Sequence, residues 1–165
     1  MRYTQVVALC LLFLAGLPAA AHDLTVGNLL FDHPWIAETP PGSPAAAGYV
    51  VISNNGDEAD RLLSVTSDVT DRTEVHSMTI NDAGVMEMRA VTDGLAVEPG
   101  TDLKLEPGGY HLMFMGLTDR LTAGEHYTVI FTFERAGDVA LEFVVEKRPS
   151  AMDHRERDHD AHDDH

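Results

Sequence analysis

Tyr127-Thr128-Val129-Ile130-Phe131-Thr132-Phe133-Glu134 and, beyond Ala136-Gly137-Asp138, Val139-Ala140-Leu141-Glu142-Phe143-Val144-Val145-Glu146 form the stretch that decides the fold. Val129, Phe131 and Phe133 fall on one side of the first segment, and Val139, Leu141, Phe143 and Val145 on one side of the second. A period of two is that of half-buried strands, and the glycine turn between them makes the pair a hairpin lying over a core.

Working outward, short β-like runs recur at 24–31, 47–53, 61–67, 73–80, 85–91, 102–105 and 110–117. Turn residues separate them: Asn54-Asn55-Gly56-Asp57, Asn81-Asp82-Ala83-Gly84, Pro99-Gly100 and Pro107-Gly108-Gly109. Regular short strands with such punctuation predict an all-β sandwich or barrel, and no segment sustains a helical period.

The ends of the chain read differently. Arg2, an apolar run from Val6 to Leu17 and the small residues Ala19-Ala20-Ala21 predict a secretory signal over residues 1–21, with the exported chain beginning at His22. The apolar run is shorter than the ~20 residues of a spanning helix. The single cysteine, Cys10, lies inside that run without the small residue a lipidation site carries just before its cysteine, so no membrane anchor and no disulfide are expected. Residues 22–149 make one domain of ordinary size. Residues 150–165 are almost wholly charged or histidine, bury nothing apolar, and are expected to form a disordered tail. A net charge of −16 disfavours nucleic acid and anionic membrane as partners and favours cations as ligands.

Five of the seven methionines, Met78, Met86, Met88, Met113 and Met115, fall between residues 78 and 115, and His76 and His111 accompany them. On a strand over 110–117, Tyr110, Leu112 and Phe114 share a core face, while His111, Met113 and Met115 share the other. If Gly84 ends a three-residue turn in the left-handed conformation, Ile80 pairs with Gly84 and His76 falls opposite Met88; a four-residue loop would put the two on opposite faces. Thioether sulfur is a soft, neutral donor suited to Cu(I), imidazole serves many metals, and a blue-copper centre needs a thiolate that the exported chain lacks. Zinc fits less well, its usual ligands being Cys, His and carboxylate. Against this stands the plain possibility that the methionines fill a core and the histidines are structural.

His76, Met88, His111 and Met113 follow the spacing His-x(11)-Met-x(22)-His-x-Met. With Thr39-Pro40-Pro41-Gly42, Ala46-Ala47-Gly48-Tyr49, Gly84-Val85-Met86-Glu87-Met88-Arg89 and Pro107-Gly108-Gly109-Tyr110-His111-Leu112-Met113, this closely resembles the periplasmic copper chaperone family PCu(A)C over residues 24–147. The resemblance implies a cupredoxin-like β-sandwich in the periplasm that is not an enzyme. It implies a Cu(I) site of His76, Met88, His111 and Met113, and delivery to a copper acceptor, either a cytochrome c oxidase subunit or another assembly chaperone. The hairpin between His76 and Met88 has a longer turn than many relatives, which leaves Met86 as the substitute for Met88.

The tail holds His154, His159, His162 and His165 among aspartates, with Met152 just before them, a set that can wrap Cu(II). A similar tail in some members of the resembling family looks like a second copper site. His22, as the first residue, would offer an amine and an imidazole together, whereas His33 and His126 read as structural or exposed. Trp35 and Tyr49 are expected to pack in the sandwich or frame its end. A passive copper buffer and an adhesive or carbohydrate-binding sandwich are the competing functions; no elbow, His-Glu-x-x-His or phosphate-loop motif points to catalysis.

Overall fold

The computed structural model describes residues 23–81 and 83–147. The predicted signal, His22 and the tail with Met152, His154, His159, His162 and His165 lie outside the described residues, as does Asp82.

Eleven strands make up the described chain: β1 (Leu24–Val26), β2 (Leu29–Ala37), β3 (Ala45–Asn54), β4 (Asp60–Ser67), β5 (Arg72–Ile80), β6 (Met86–Ala90), β7 (Leu95–Val97), β8 (Asp102–Leu105), β9 (Tyr110–Met115), β10 (His126–Phe133) and β11 (Gly137–Glu146). They pair in the order β6-β5-β9-β8-β3-β2-β11-β10-β4-β7, with β9 also pairing β3 and β1 pairing β2. All pairs are antiparallel except β11 with β2 and β8 with β9.

The β10–β11 hairpin forms as its alternation demands. Phe133 pairs with Gly137, whose positive φ of 71° closes a three-residue loop, and Val129, Phe131, Phe133, Val139, Leu141, Phe143 and Val145 are all buried. Phe131 stacks on Phe143 at 6.0 Å, and Phe31 of β2 meets Phe133 edge-on at 5.9 Å, so the curled sheet closes over a phenylalanine cluster.

Three expectations change. The run 24–31 is two strands, because Gly27, at φ 58°, opens a two-residue turn that pairs Val26 with Leu29. β2 continues to Ala37 past Pro34, across an irregularity between Asp32 and Trp35 where His33 takes φ 49°. The short strand β7 gives no periodic signal in three residues, yet it covers one edge of β4 with the buried Leu95 and Val97.

β3 runs through the middle and alternates along its length, Ala46, Val50 and Ile52 facing the core and Ala45, Ala47 and Tyr49 the other side. Gly48 belongs to the core row. A Cβ there would stand 2.7 Å from a ring carbon of the fully buried Phe114, so the glycine makes room for that ring. Gly48→Ala is therefore expected to lower stability by about 1–3 kcal/mol, the usual cost of overpacking, read as a fall in the urea midpoint with the slope unchanged.

Candidate metal centre

The face of the sheet opposite the core carries the candidate residues, and strand register decides which of them meet. In β9 against β5, His111 pairs with His76 and Met113 with Glu74. Because side chains alternate, Glu74, His76 and Met78 of β5 share one face with His111, Met113 and Met115 of β9. The imidazole centroids of His76 and His111 are 6.0 Å apart. A metal-bound imidazole has its centroid about 3 Å from the ion, so two such rings on one ion stand about 5–6 Å apart, close to what is found.

The β5–β6 hairpin differs from its expected register. Ile80 pairs with Met86 rather than Gly84, His76 with Ala90, and Met78 with Met88. The wider loop is organised by Asn81: its side-chain oxygen accepts the amides of Ala83 and Val85, both at 3.0 Å, and its side-chain amide donates to Glu87 at 2.9 Å. Gly84 does take the left-handed conformation, at φ 76°. The slide is by two residues, an even number, so Met88 keeps the face of His76 but moves along it.

This brings Met78 directly opposite Met88, a neighbour that the four-residue spacing does not select. The signal was available, since Met78 lies two residues after His76 on the same strand. Met86 also lies on this face but is exposed at the turn end of the hairpin, beside the loop.

Met78, Met88, His111 and Met113 line an open cavity of about 590 Å³. Its far wall is aromatic and apolar: Trp35 and Tyr49, whose rings lie 4.7 Å apart, with Ala45 and Ala47 of β3. Thr39 and Pro40 close one end, and Arg120 holds that loop by donating to the Thr39 carbonyl at 3.0 Å and to Glu38 at 2.8 Å. Trp35 and Tyr49 thus frame the site. His33 and His126 are half-exposed and sit beside Glu146 and Glu142 at 3.1 Å each; neither lines the cavity, though His33 meets the wall residue Trp35 edge-on at 6.2 Å.

The two imidazoles are held differently. His111 is only 3% exposed, and its Nδ1 lies 3.2 Å from the Gly109 carbonyl. A carbonyl can only accept, so Nδ1 carries the hydrogen and Nε2 keeps its lone pair. His76 is more open, with its Nε2 2.9 Å from a Glu74 carboxylate oxygen. That hydrogen bond from His76, then one from Arg72, holds the Glu74 carboxyl below its ordinary value, so it stays ionised beside the site. Among the described residues no group of three or more His, Cys, Asp or Glu side chains is placed to hold a metal. Beside His76 and His111 this face carries the thioethers of Met78, Met88 and Met113, a donor type that suits soft ions.

Comparison with known proteins bears on the family and the fold. The sequence model of the family described as "Putative lipoprotein LpqE-like" matches residues 29–145. The chain is 31% identical over 139 residues to "Putative lipoprotein Lxx21020" of Leifsonia xyli subsp. xyli (strain CTCB07), covering 81% of each chain. Among solved structures it is similar to the apo PCuAC domain from PmoF1, with a TM-score of 0.66 and 26% identity over 77% of this chain and 100% of that one. It is also similar to the copper-bound PCuAC domain from PmoF2, with a TM-score of 0.63 and 26% identity over 77% of this chain and 99% of that one. The all-β, cupredoxin-like architecture implied by the sequence resemblance is borne out.

Burial separates the candidate residues by what their replacement does to folding. Met88 is 55% exposed and Met86 65%, so Met88→Leu and Met86→Leu should each leave stability within about 0.5 kcal/mol. His111→Ala opens a cavity and strips a buried hydrogen bond, and should cost about 1–3 kcal/mol, measured by urea unfolding of the metal-free protein.

Proposed function

The chain belongs to the LpqE-like family, a PCuAC-type family, and we propose that it is an exported, non-enzymatic carrier that binds Cu(I) through His76, His111, Met113 and Met88. The observation that carries this reading is the register that sets His76 against His111 on one face of the sheet, where His111, Met113 and Met88 line an open cavity that His76 itself does not line. Two neutral imidazoles and two thioethers suit a soft monovalent ion and leave harder divalent ions poorly served. Met78, opposite Met88, is a further thioether within the same cavity.

An open cavity with an exposed thioether at its mouth favours transfer. An acceptor's ligand can enter from the cavity side and displace Met88 before His111, which is the better anchored. We assign the acceptor to the copper centres of cytochrome c oxidase, directly or through another assembly chaperone, on the strength of the family resemblance. The names of relatives speak of lipoproteins. In this chain the position of Cys10 inside the apolar run supports cleavage near Ala21 and release into the periplasm without a lipid. The tail, through His154, His159, His162, His165 and Met152, is proposed to bind Cu(II) as a site separate from the Cu(I) site.

An anaerobic Cu(I) competition titration on the chain from His22, and on a version ending at Ser150, tests the core site. One tight equivalent should survive truncation, and Met113→Leu and Met88→Leu should each weaken it by about tenfold or more, the equivalent of about 1.4 kcal/mol. The single tryptophan, Trp35, should report loading as a change in fluorescence. Binding that disappears with the tail, or ignores both methionines, would overturn the assignment. The intact mass of the exported protein should correspond to a chain starting at His22; a lipid-modified cysteine would refute release.

A further inference from the structure

Glu74 lines up with His76 on β5, and Arg72 with Glu74, at two-residue spacing on the face that carries the copper site. The Arg72 Nε donates to one carboxylate oxygen of Glu74 at 3.0 Å, and the other oxygen lies 2.9 Å from the His76 Nε2. The carboxylate is thus held from behind by a guanidinium and turned toward the imidazole. Across the strand pair, Arg72 faces Met115, Glu74 faces Met113 and His76 faces His111. A charged relay therefore runs alongside the row of soft donors.

The hydrogen bond has a consequence for which nitrogen is free. An ionised carboxylate has no hydrogen to give, so the His76 Nε2 must carry one, and the lone pair of the neutral ring is then on Nδ1. His111 is in the opposite state, with its hydrogen on Nδ1 facing the Gly109 carbonyl. The two imidazoles, neighbours across β5 and β9, are thereby fixed in different tautomers by partners that do not bind metal themselves.

We propose that Glu74, braced by Arg72, is a positioning residue that locks His76 in its Nε2–H form, so that Cu(I) is held by Nδ1 of His76 and Nε2 of His111. This rests on the Cu(I) reading and adds to it the ligating atoms and the residue that selects one of them. Partners of this kind orient metal-binding histidines and change affinity by about 10–100-fold when removed. Shorter reach follows as well, because Nδ1 lies nearer the backbone than Nε2. A metal at Nδ1 of His76 sits close to β5, whereas one at Nε2 of His111 sits a full ring away from β9, which displaces the ion toward the β5–β6 hairpin and its methionines.

The test is long-range nitrogen–proton NMR of the ¹⁵N-labelled chain from His22 to His165, metal-free and with one equivalent of Cu(I), together with Cu(I) affinities. The metal-free protein should show His76 with its hydrogen on Nε2 and His111 with its hydrogen on Nδ1. Cu(I) should shift Nδ1 of His76 and Nε2 of His111. Glu74→Ala should release His76 into a mixture of tautomers and weaken Cu(I) by about 10–100-fold. Glu74→Gln, whose amide oxygen can still accept from Nε2–H, should keep the tautomer and most of the affinity; a purely structural role for the charge would not be rescued this way. Cu(I) bound through Nε2 of His76, or a His76 tautomer and an affinity indifferent to Glu74→Ala, overturns the proposal and leaves the carrier function standing. A chain that binds no Cu(I) while His76 keeps its Nε2–H form overturns the carrier function, and the role of Glu74 in copper binding with it.

Discussion

The antiparallel pairing of β5 with β9 is the constraint on which the site depends, because it alone sets His76 beside His111. Two strands apart in sequence by some thirty residues contribute one imidazole each, and a one-residue slip between them would turn one imidazole toward the core. The register is secured on the other face. Val75 pairs with Leu112, both buried, and Phe114 lies fully buried against the space left by Gly48. Core packing on one side of the sheet thus fixes the chemistry on the other. The Thr70 hydroxyl adds a tether at the strand end by donating to the Met115 carbonyl at 2.6 Å.

The fold class was legible because β10 and β11 alternate without interruption and end in a glycine turn. The core face of β9 was equally legible in Leu112 and Phe114. What the pattern could not supply was the size of the loop after Ile80. Asn81 caps that loop with its own side chain, a local hydrogen-bonding choice that competes with the shorter turn Gly84 would permit. The shared face of His76 and Met88 survives because the slide is even, but the pairing of Met78 with Met88 follows only from the true register.

Other parts of the site come from long-range pairing, which periodicity within one segment does not contain. Trp35 reaches the cavity because β2 bends at His33 and then runs beside Tyr49 of β3. The loop at Thr39 is held by residues some eighty positions later: the Leu121 amide donates to the Thr39 hydroxyl at 3.0 Å, and Arg120 to its carbonyl. Glu74 is different in kind. Its place beside His76 follows from the period of two, but its role depends on the rotamers that bring carboxylate, guanidinium and imidazole together.

The distribution of rigidity across the site bears on release. His111 is buried, hydrogen-bonded and central, on a strand with neighbours on both sides. Met88 is exposed and lies on β6, the strand at the end of the sheet, which among the described strands pairs with β5 alone. Elements with few buried contacts open at lower free energy than core strands. Under the proposed Cu(I) ligation, the ion's bonds would differ in how readily they exchange: the thioether at the edge would yield first, the buried imidazole last. A set of four equally rigid ligands would bind copper and keep it, whereas the proposed graded set, anchored on β9 and loose on β6, would give an incoming ligand a defined place to begin.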